Sequence, residues 1–389
     1  MTPLSVLLAL TTAAVTVSAK AVTVRDSPVT LSIARRFNST GATNIVKADQ
    51  ARAKVLKARS QATRVAAADT PVGRMFPGHN VPVTNQVVIY TASVGVGSPP
   101  TSYELLVDTG SANTWVGANQ PYVKTSSSVD TGAGVSIGVA DIVAGFNGLQ
   151  FDGILGIGPV GLTQDTTSAG GEVPTVVDSA FAQGLIHAKV VGVSFEPTTQ
   201  DSVTNGELTF GGVDHRKFFG QIQYVPITST SPASEYVGID QSITYGSSKT
   251  TILSLTAGIT DTGTTLVLLA SDAFAAYQNA TGGVLDSNTG LLRITAEQFA
   301  KLESLFFHIG DATYEFTPNA QIWPRALNAA IGGDADSIYL VTADLNSPSG
   351  EGFDFVDGYT FLERFYYVYD SAHSSVGFAK TPFTYAKTN

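Results

Sequence analysis

The stretch Leu105-Leu106-Val107-Asp108-Thr109-Gly110-Ser111 has a near copy further along the chain, Gly258-Ile259-Thr260-Asp261-Thr262-Gly263-Thr264. Each copy has a strand-like lead-in, an Asp, then Thr-Gly and a hydroxyl residue. A third Asp-Thr-Gly, at Asp130 to Gly132, lacks the apolar lead-in and is followed by Ala133, so the bare triplet carries little information. The duplicated longer pattern predicts two similar units, each contributing one Asp, with the two aspartates meeting in space.

Working outward, Val81 to Val96 alternates and is rich in β-branched residues, then turns at Gly97-Ser98-Pro99-Pro100. This predicts a hairpin feeding the first Asp strand, Tyr103 to Val107. Short β-like runs punctuated by Gly, Asn, Ser and Pro continue: Val190 to Phe195, Glu207 to Phe210, Gln221 to Ile227, Ile239 to Tyr245, Ile252 to Leu255, Leu266 to Leu269, Leu291 to Ile294, Ser337 to Val341 and Tyr366 to Tyr369. Helical patterns are few: Val173 to Gly184, Ser271 to Thr281 with Ser271 as N-cap, Thr295 to Leu305 with Thr295 as N-cap and Gln298 in the capping-box position, and Gly358 to Phe365. The expected fold is mostly β and bilobal.

Each Asp-Thr-Gly unit is followed by an apolar pair and a glycine opening a short turn. The first has Ile154-Leu155-Gly156, and the second a looser Phe355-Val356-Asp357-Gly358. The repeat is unequal, because Asp108 to Gly156 is 48 residues and Asp261 to Gly358 is 97. The first lobe is therefore expected to be truncated.

With 389 residues, 43% of them hydrophobic, the chain has ample material for a core. Residues 1–19 are apolar and small, with Val17-Ser18-Ala19 as a cleavage site, and read as a signal peptide without the usual basic flank. The segment is too short and Thr-rich to favour a membrane anchor. There is no cysteine, so a secreted chain of this size must rely on its core and sheet pairing. Charge is divided unevenly. Lys20 to Arg74 holds 11 basic and 3 acidic residues, a net of +8, which leaves 11 basic and 29 acidic residues, a net of −18, in the remainder. Either a disordered basic tail or a prosegment fits residues 20–75, and Gln50 to Arg64 is Ala-rich and helix-compatible. A cationic prosegment over an anionic cleft is held at neutral pH and released when the carboxylates protonate. The acidic body argues against nucleic acid as a partner.

A carboxylate at a strand end followed by glycine fits a tight turn in which backbone N–H groups and a hydroxyl three residues on bind its oxygens. Two such carboxylates within hydrogen-bond distance cannot both ionise cheaply, so they share a proton and titrate as a unit. One can take a proton from water while the other protonates a carbonyl oxygen. That is amide hydrolysis by general acid and base catalysis, with no metal or cofactor and no Ser or Cys nucleophile.

Several stretches together resemble the pepsin-like family of aspartic endopeptidases, and within it the cysteine-free secreted fungal enzymes of the polyporopepsin type. Leu106 to Val116 is similar to the family's first active-site block and Ala257 to Thr265 to its second. Phe151 to Gly158, Gly206 to Asp214 and Phe361 to Asp370 match further blocks, and the resemblance covers roughly Asn85 to Thr381. It implies Asp108 and Asp261 as the catalytic dyad and hydrogen bonds between Thr109 and Thr262 across the lobe interface. Ser111 and Thr264 are implied at the outer carboxylate oxygens, and Gly110 and Gly263 at the inner ones. It also implies an N-terminal β lobe over 76–225 and a C-terminal β lobe over 226–389.

The family carries a β-hairpin flap whose Tyr, followed by Gly and hydroxyl residues, closes over bound peptide. Here Val116 to Gln150 has one tyrosine, Tyr122, in no such setting. About 40 to 50 residues are missing between Val135 and Gly145, judged from the lobe comparison and the size of a hairpin with its supporting strands. A skipped exon or a naturally flapless protein gives the same pattern. Without the flap the chain is expected to position substrate weakly and to expose sheet edges, making it a poor catalyst and a marginal folder.

Asn38-Ser39-Thr40 and Asn279-Ala280-Thr281 fit glycosylation acceptors. The histidines His79, His187, His215, His308 and His373 show no ligand spacing, and Gly156-Ile157-Gly158 lacks the βαβ context of a dinucleotide loop. The leading reading is a secreted, monomeric acid endopeptidase made as a zymogen, whose partners are polypeptide substrates and its own prosegment. The alternative is a pepsin-like binding protein without turnover. A two-carboxylate glycosidase is disfavoured because its acids need not sit in twin turns of this kind. The acidic body also sets a pH dependence: acid relieves its self-repulsion, so the melting temperature is expected to be higher at about pH 4.5 than at about pH 7.5, which a calorimetric comparison checks.

Overall fold

A computed structural model describes residues 28–37, 44–68, 88–129, 137–139, 151–167 and 170–389, the side chains of 60–68 and 88 excepted. The apolar leader 1–19, Asn38, Asp130 to Gly132 and most of Val135 to Gly145, where the first lobe is expected to be short, lie outside the described residues.

In chain order the first half comprises β1 (Val29–Phe37), α1 (Ile45–Ala68), β2 (Val88–Val96), β3 (Thr101–Asp108), β4 (Thr114–Val116), β5 (Gly138–Val139), β6 (Gly153–Gly156), α2 (Val176–Ala182), β7 (Val190–Ser194), β8 (Val203–Phe210) and β9 (Phe219–Pro226). The second half comprises β10 (Gly238–Tyr245), β11 (Thr250–Thr260), β12 (Val267–Leu269), α3 (Ser271–Thr281), β13 (Val284–Leu285), β14 (Leu292–Ile294), α4 (Ala296–Ala300), β15 (Leu305–Ile309), β16 (Ala312–Phe316), β17 (Ile338–Tyr339), β18 (Thr342–Asp344), β19 (Phe355–Asp357), α5 (Tyr359–Leu362), β20 (Phe365–Asp370) and β21 (Ser375–Lys380).

Local chemistry accounts for most boundaries. Thr175 and Asp178 form a reciprocal capping box at the start of α2, which begins later than the Val173 to Gly184 pattern suggests. Thr295 and Gln298 form the expected box at α4. That helix stops at Ala300 instead of reaching Leu305, because Leu305 is committed to pairing with both Tyr245 and Phe316. Ser271 is not the N-cap of α3. Ala270 holds that position without a side-chain bond, and the Ser271 hydroxyl donates instead to Asp344 at 2.7 Å. Tertiary bonding has here outcompeted the local cap. Strand β15 alternates buried Leu305, Phe307 and Ile309 with half-buried neighbours, whereas β20 is apolar or aromatic almost throughout because both its faces are covered.

Among the described residues the strands assemble into sheets of 11, 7 and 3 strands. The 11-stranded sheet takes β1 to β9 except for its return through β20 and β21, in the order β5-β4-β6-β3-β2-β1-β8-β7-β20-β21-β9. The 7-stranded sheet runs β16-β15-β10-β11-β19-β12-β18. Strand β1 was missed by sequence reading. It lies inside the large sheet, paired antiparallel with both β2 and β8.

The internal repeat is visible as register. Strand β3 pairs parallel with β6, setting Val107 opposite Leu155 and Asp108 opposite Gly156. Strand β11 pairs parallel with β19, setting Thr260 opposite Asp357. In each half a following strand, β4 or β12, closes antiparallel on the same partner.

The glycine next to Leu155 at the end of β6 and the one next to Asp357 just beyond β19 are fixed by space. A Cβ on Gly156 would lie 2.5 Å from the Asn113 carbonyl oxygen, and one on Gly358 2.3 Å from that of Leu266 and 2.7 Å from that of Thr264. Those neighbours are backbone and cannot swing aside. Gly358→Ala is therefore expected to destabilise the fold by about 1–3 kcal/mol, measured by urea unfolding. An unchanged midpoint would show that the loop yields.

Candidate active site

Asp108 ends β3 and Asp261 follows β11, and both side chains are buried at 2% and 0% exposure. Each turn satisfies its own carboxylate. Gly110 N–H donates to Asp108 Oδ1 at 2.9 Å and Ser111 Oγ to Asp108 Oδ2 at 2.6 Å. Gly263 N–H donates to Asp261 Oδ1 at 3.1 Å and Thr264 Oγ1 to Asp261 Oδ2 at 2.5 Å. The two sets of bonds are equivalent, as two copies of one sequence pattern require.

Thr109 and Thr262 lock the two turns together. Thr109 N–H donates to Thr262 Oγ1 at 2.9 Å, and Thr262 N–H donates to Thr109 Oγ1 at 3.0 Å. Each hydroxyl then donates onward to a carbonyl in the opposite unit, Thr109 to Thr260 at 3.3 Å and Thr262 to Val107 at 3.1 Å. Four buried bonds thus join segments more than 150 residues apart, and every donor and acceptor in the lattice is used. All eight residues that the sequence places at the site come together here.

Sequence reading did not single out the residue that sits between the carboxylates. Arg52, on α1, places Nη2 at 2.5 Å from Asp108 Oδ1 and 2.9 Å from Asp261 Oδ1, with Nε at 2.6 Å from Asp261 Oδ2. One nitrogen therefore reaches the inner oxygens of both acids. The guanidinium offers a planar fork of donors, which suits two converging carboxylates better than a point charge does.

Helix α1 is seated by further contacts from the same leader. Asp49 Oδ2 accepts from Thr265 N–H at 3.1 Å and Leu266 N–H at 2.8 Å, just beyond the second turn. Gln50 donates to the Asp344 carbonyl at 2.7 Å, and Tyr236 donates to the Leu56 carbonyl at 2.7 Å. Lys57 pairs with Glu351, and Arg59 donates to the Leu162 carbonyl. In β1, buried Arg35 donates to the Thr198 carbonyl at 3.0 Å and to the Tyr359 hydroxyl at 3.2 Å, with Trp323 and Tyr359 rings beside it. The available sequence signal was slight: Asp49 is one of three acids in a basic leader, three residues before Arg52.

Burial pushes Asp108 up from its ordinary value, against the pull of Arg52. Burial acts on Asp261 too, but there the charge and hydrogen bonds of Arg52 outweigh it, joined by Thr264 and Gly263, and hold the group low. The two acids titrate as one coupled pair, with burial pushing Asp108 up and Arg52 holding Asp261 low. Burial also pushes Asp49 up to about 7, against its two backbone donors.

A profile described as eukaryotic aspartyl protease matches residues 89–134 and 132–381. Polyporopepsin from Irpex lacteus is 56% identical over 340 residues, spanning 80% of this chain and 99% of that protein. Gastricsin from Cavia porcellus is 27% identical over 340 residues, 77% of this chain and 82% of its own. The crystal structure of the aspartic proteinase from Irpex lacteus superposes with a TM-score of 0.73 at 56% identity, covering 77% of this chain and 96% of that one. The bilobal, mostly β architecture and the twin Asp-Thr-Gly turns agree with these relatives: the chain belongs to the eukaryotic aspartyl protease family, the pepsin-like aspartic endopeptidases.

Proposed function

We propose that this chain is the zymogen of a secreted, acid-acting aspartic endopeptidase in which Asp108 and Asp261 activate water, and that residues 20–75 are its inhibitory prosegment. The observation that carries the reading is the placement of Arg52 Nη2, within hydrogen-bond reach of both inner carboxylate oxygens. A water in that position is polarised by both acids at once. With one proton on the pair, the ionised member takes a proton from the water as it attacks the peptide carbonyl, and the protonated member donates to the carbonyl oxygen. The Thr109 and Thr262 bonds hold the two acids at fixed separation through this exchange.

While Arg52 fills that position neither water nor peptide can use it. The sign of the pH dependence follows from the groups it touches. Asp261 is held low when α1 is docked, so its contribution to docking is present above the undocked value and is lost as pH falls through the docked one. Asp49 acts in the opposite sense: raised to about 7, it favours docking when protonated and loses that contribution as pH rises through 7. Asp108, pushed up by burial, shares the sense of Asp49, so acid release of α1 has to come from Asp261.

Secretion is supported by the apolar leader 1–19 and by the likeness to polyporopepsin; no described helix is long and apolar enough to cross a membrane. The lobe division at 225/226 is supported by the change of sheet between Pro226 and Gly238, with β20 and β21 crossing back. The shortened first lobe is supported by two features of the comparisons. The family match is broken into two pieces meeting at 132–134. The polyporopepsin alignment spans 340 positions, whereas 80% of 389 residues is about 311. The binding-protein alternative is not favoured, since both acids keep their full set of turn bonds.

Asp108→Asn or Asp261→Asn is expected to lower kcat/KM on a denatured protein substrate by at least about 10^3-fold, assayed at acid pH after the prosegment is removed. Activity surviving either change would overturn the dyad. Arg52→Gln is expected to speed conversion to the mature size at near-neutral pH, followed by gel electrophoresis, and conversion at the unaltered rate would show that Arg52 is not the lock.

A further inference from the structure

Asp357 is a wholly buried carboxyl group at the end of β19, directly behind the second aspartate turn. Its Oδ1 accepts from Gln241 Nε2 of β10 at 3.2 Å, but among the described residues no donor reaches its Oδ2, and none reaches Gln241 Oε1. Two unpaired buried acceptors thus sit on the two groups that the first bond already joins. Leaving a buried carboxylate oxygen and an amide oxygen both without a donor is costly.

The internal repeat shows that the position does not require an acid. Leu155 occupies the equivalent place in the first half, since Val107 faces Leu155 as Thr260 faces Asp357 and a glycine follows each. The same register makes Val94, opposite Tyr103, the counterpart of Gln241, opposite Thr256. An apolar pair in one half is replaced by an acid and an amide in the other.

We propose that Asp357 is held as a neutral carboxylic acid whose Oδ2–H donates to Gln241 Oε1, closing a two-bond acid–amide pair that positions the Asp261 turn and makes its integrity depend on a proton. One proton gives the missing donor to both orphaned oxygens. Asp357 is a positioning residue because its backbone, not its carboxyl, meets the site: its carbonyl accepts from Asp261 N–H at 3.1 Å. The three residues after it bind the same turn, Gly358 N–H to the Leu266 carbonyl at 3.1 Å, Tyr359 to Thr264 at 2.8 Å and Thr360 to Thr265 at 3.1 Å.

The surrounding charges leave this proton to Gln241 and to burial. On β10, Asp240 is exposed and accepts from Thr228. At the end of β11, Asp261 is occupied by its own turn and Arg52. Strand β12 carries no titratable group, and on β18 Asp344 accepts from Ser271 and from Asn346 N–H. Asp354, before β19, accepts from Thr256, Gly350 and Glu351, and the Tyr359 hydroxyl of α5 accepts from Arg35. Burial raises the Asp357 carboxyl to about 8, opposed only by the Gln241 bond. Because the folded value is raised, the stabilisation is fully present below the ordinary carboxylate value and is lost as pH rises to about 8.

The test compares the full chain with Asp357→Asn, which keeps a donor and an acceptor toward Gln241 but does not titrate, and with Asp357→Leu, which restores the apolar residue of the other half. Unfolding equilibria are measured by urea titration from about pH 4 to about pH 8.5. Relative to Asp357→Asn, the unaltered chain is expected to lose stability at close to tenfold in the unfolding constant per pH unit, levelling near pH 8. Asp357→Leu is expected to show the same flat difference profile as Asp357→Asn, even if its stability is lower throughout. Parallel profiles for the unaltered chain and both variants would overturn the proposal. Should neither variant fold, the carboxyl carbon resonance of Asp357, assigned through its own backbone in the chain labelled at aspartate, decides it: a carboxyl still protonated at about pH 7 supports the neutral acid, and an ionised one overturns it.

Discussion

Two carboxylates drawn out of water to within reach of a single guanidinium nitrogen set the terms for everything around them. Buried like charges repel strongly, and each loses its hydration. The fold meets this by giving every carboxylate oxygen a donor from its own turn and by tying the turns to each other through Thr109 and Thr262. Those hydroxyls each accept one backbone N–H and donate to one carbonyl, so the separation of the acids is fixed by bonds that do not titrate.

Arg52 completes the charge balance in this form of the molecule. A buried ion pair is weak evidence of stability by itself, because desolvation offsets attraction, yet removing one member leaves the other charge uncompensated. The leader is bound by much more than this contact. Strand β1 lies inside the large sheet, Arg35 is buried beside Trp323 and Tyr359, and Asp49 receives the backbone just past the second turn. The acidic groups beneath α1 respond to pH in opposite senses, Asp49 losing its contribution as pH rises through about 7 and Asp261 as pH falls below its ordinary value. An acidic body of net −18 and a leader of +8 add a diffuse attraction that salt screens.

The two halves are related by register but not by chemistry at every position. Leu155 and Asp357 stand at equivalent places, one apolar and one acidic, each just before a glycine that admits no side chain. A repeat therefore supplies its own control: where the copies agree, at Asp-Thr-Gly and the hydroxyl after it, the shared geometry requires the residue. Where they differ, one copy has acquired a property that the other lacks.

The mostly β class, the paired aspartates and the turn residues Gly110, Ser111, Gly263 and Thr264 were determined by sequence, because each depends on contacts within four residues or on a pattern that occurs twice; the bonds between Thr109 and Thr262, 153 residues apart, were implied by the family resemblance. The capping box at Thr295 was legible for the same local reason, whereas Ser271 was misread as a cap because its hydroxyl is drawn to Asp344, 73 residues away. Only the tertiary structure decided that Val29–Phe37 is a strand, since its partners lie in β2 and β8 and its own pattern does not demand them. It alone placed Arg52 between the acids and Asp49 on the backbone beyond them, for a helix surface carries many cations and nothing local marks the one that meets a carboxylate 209 residues on. Short-range chemistry is written in adjacent residues; the choice of which charge fills a buried cleft belongs to the packing of the whole chain.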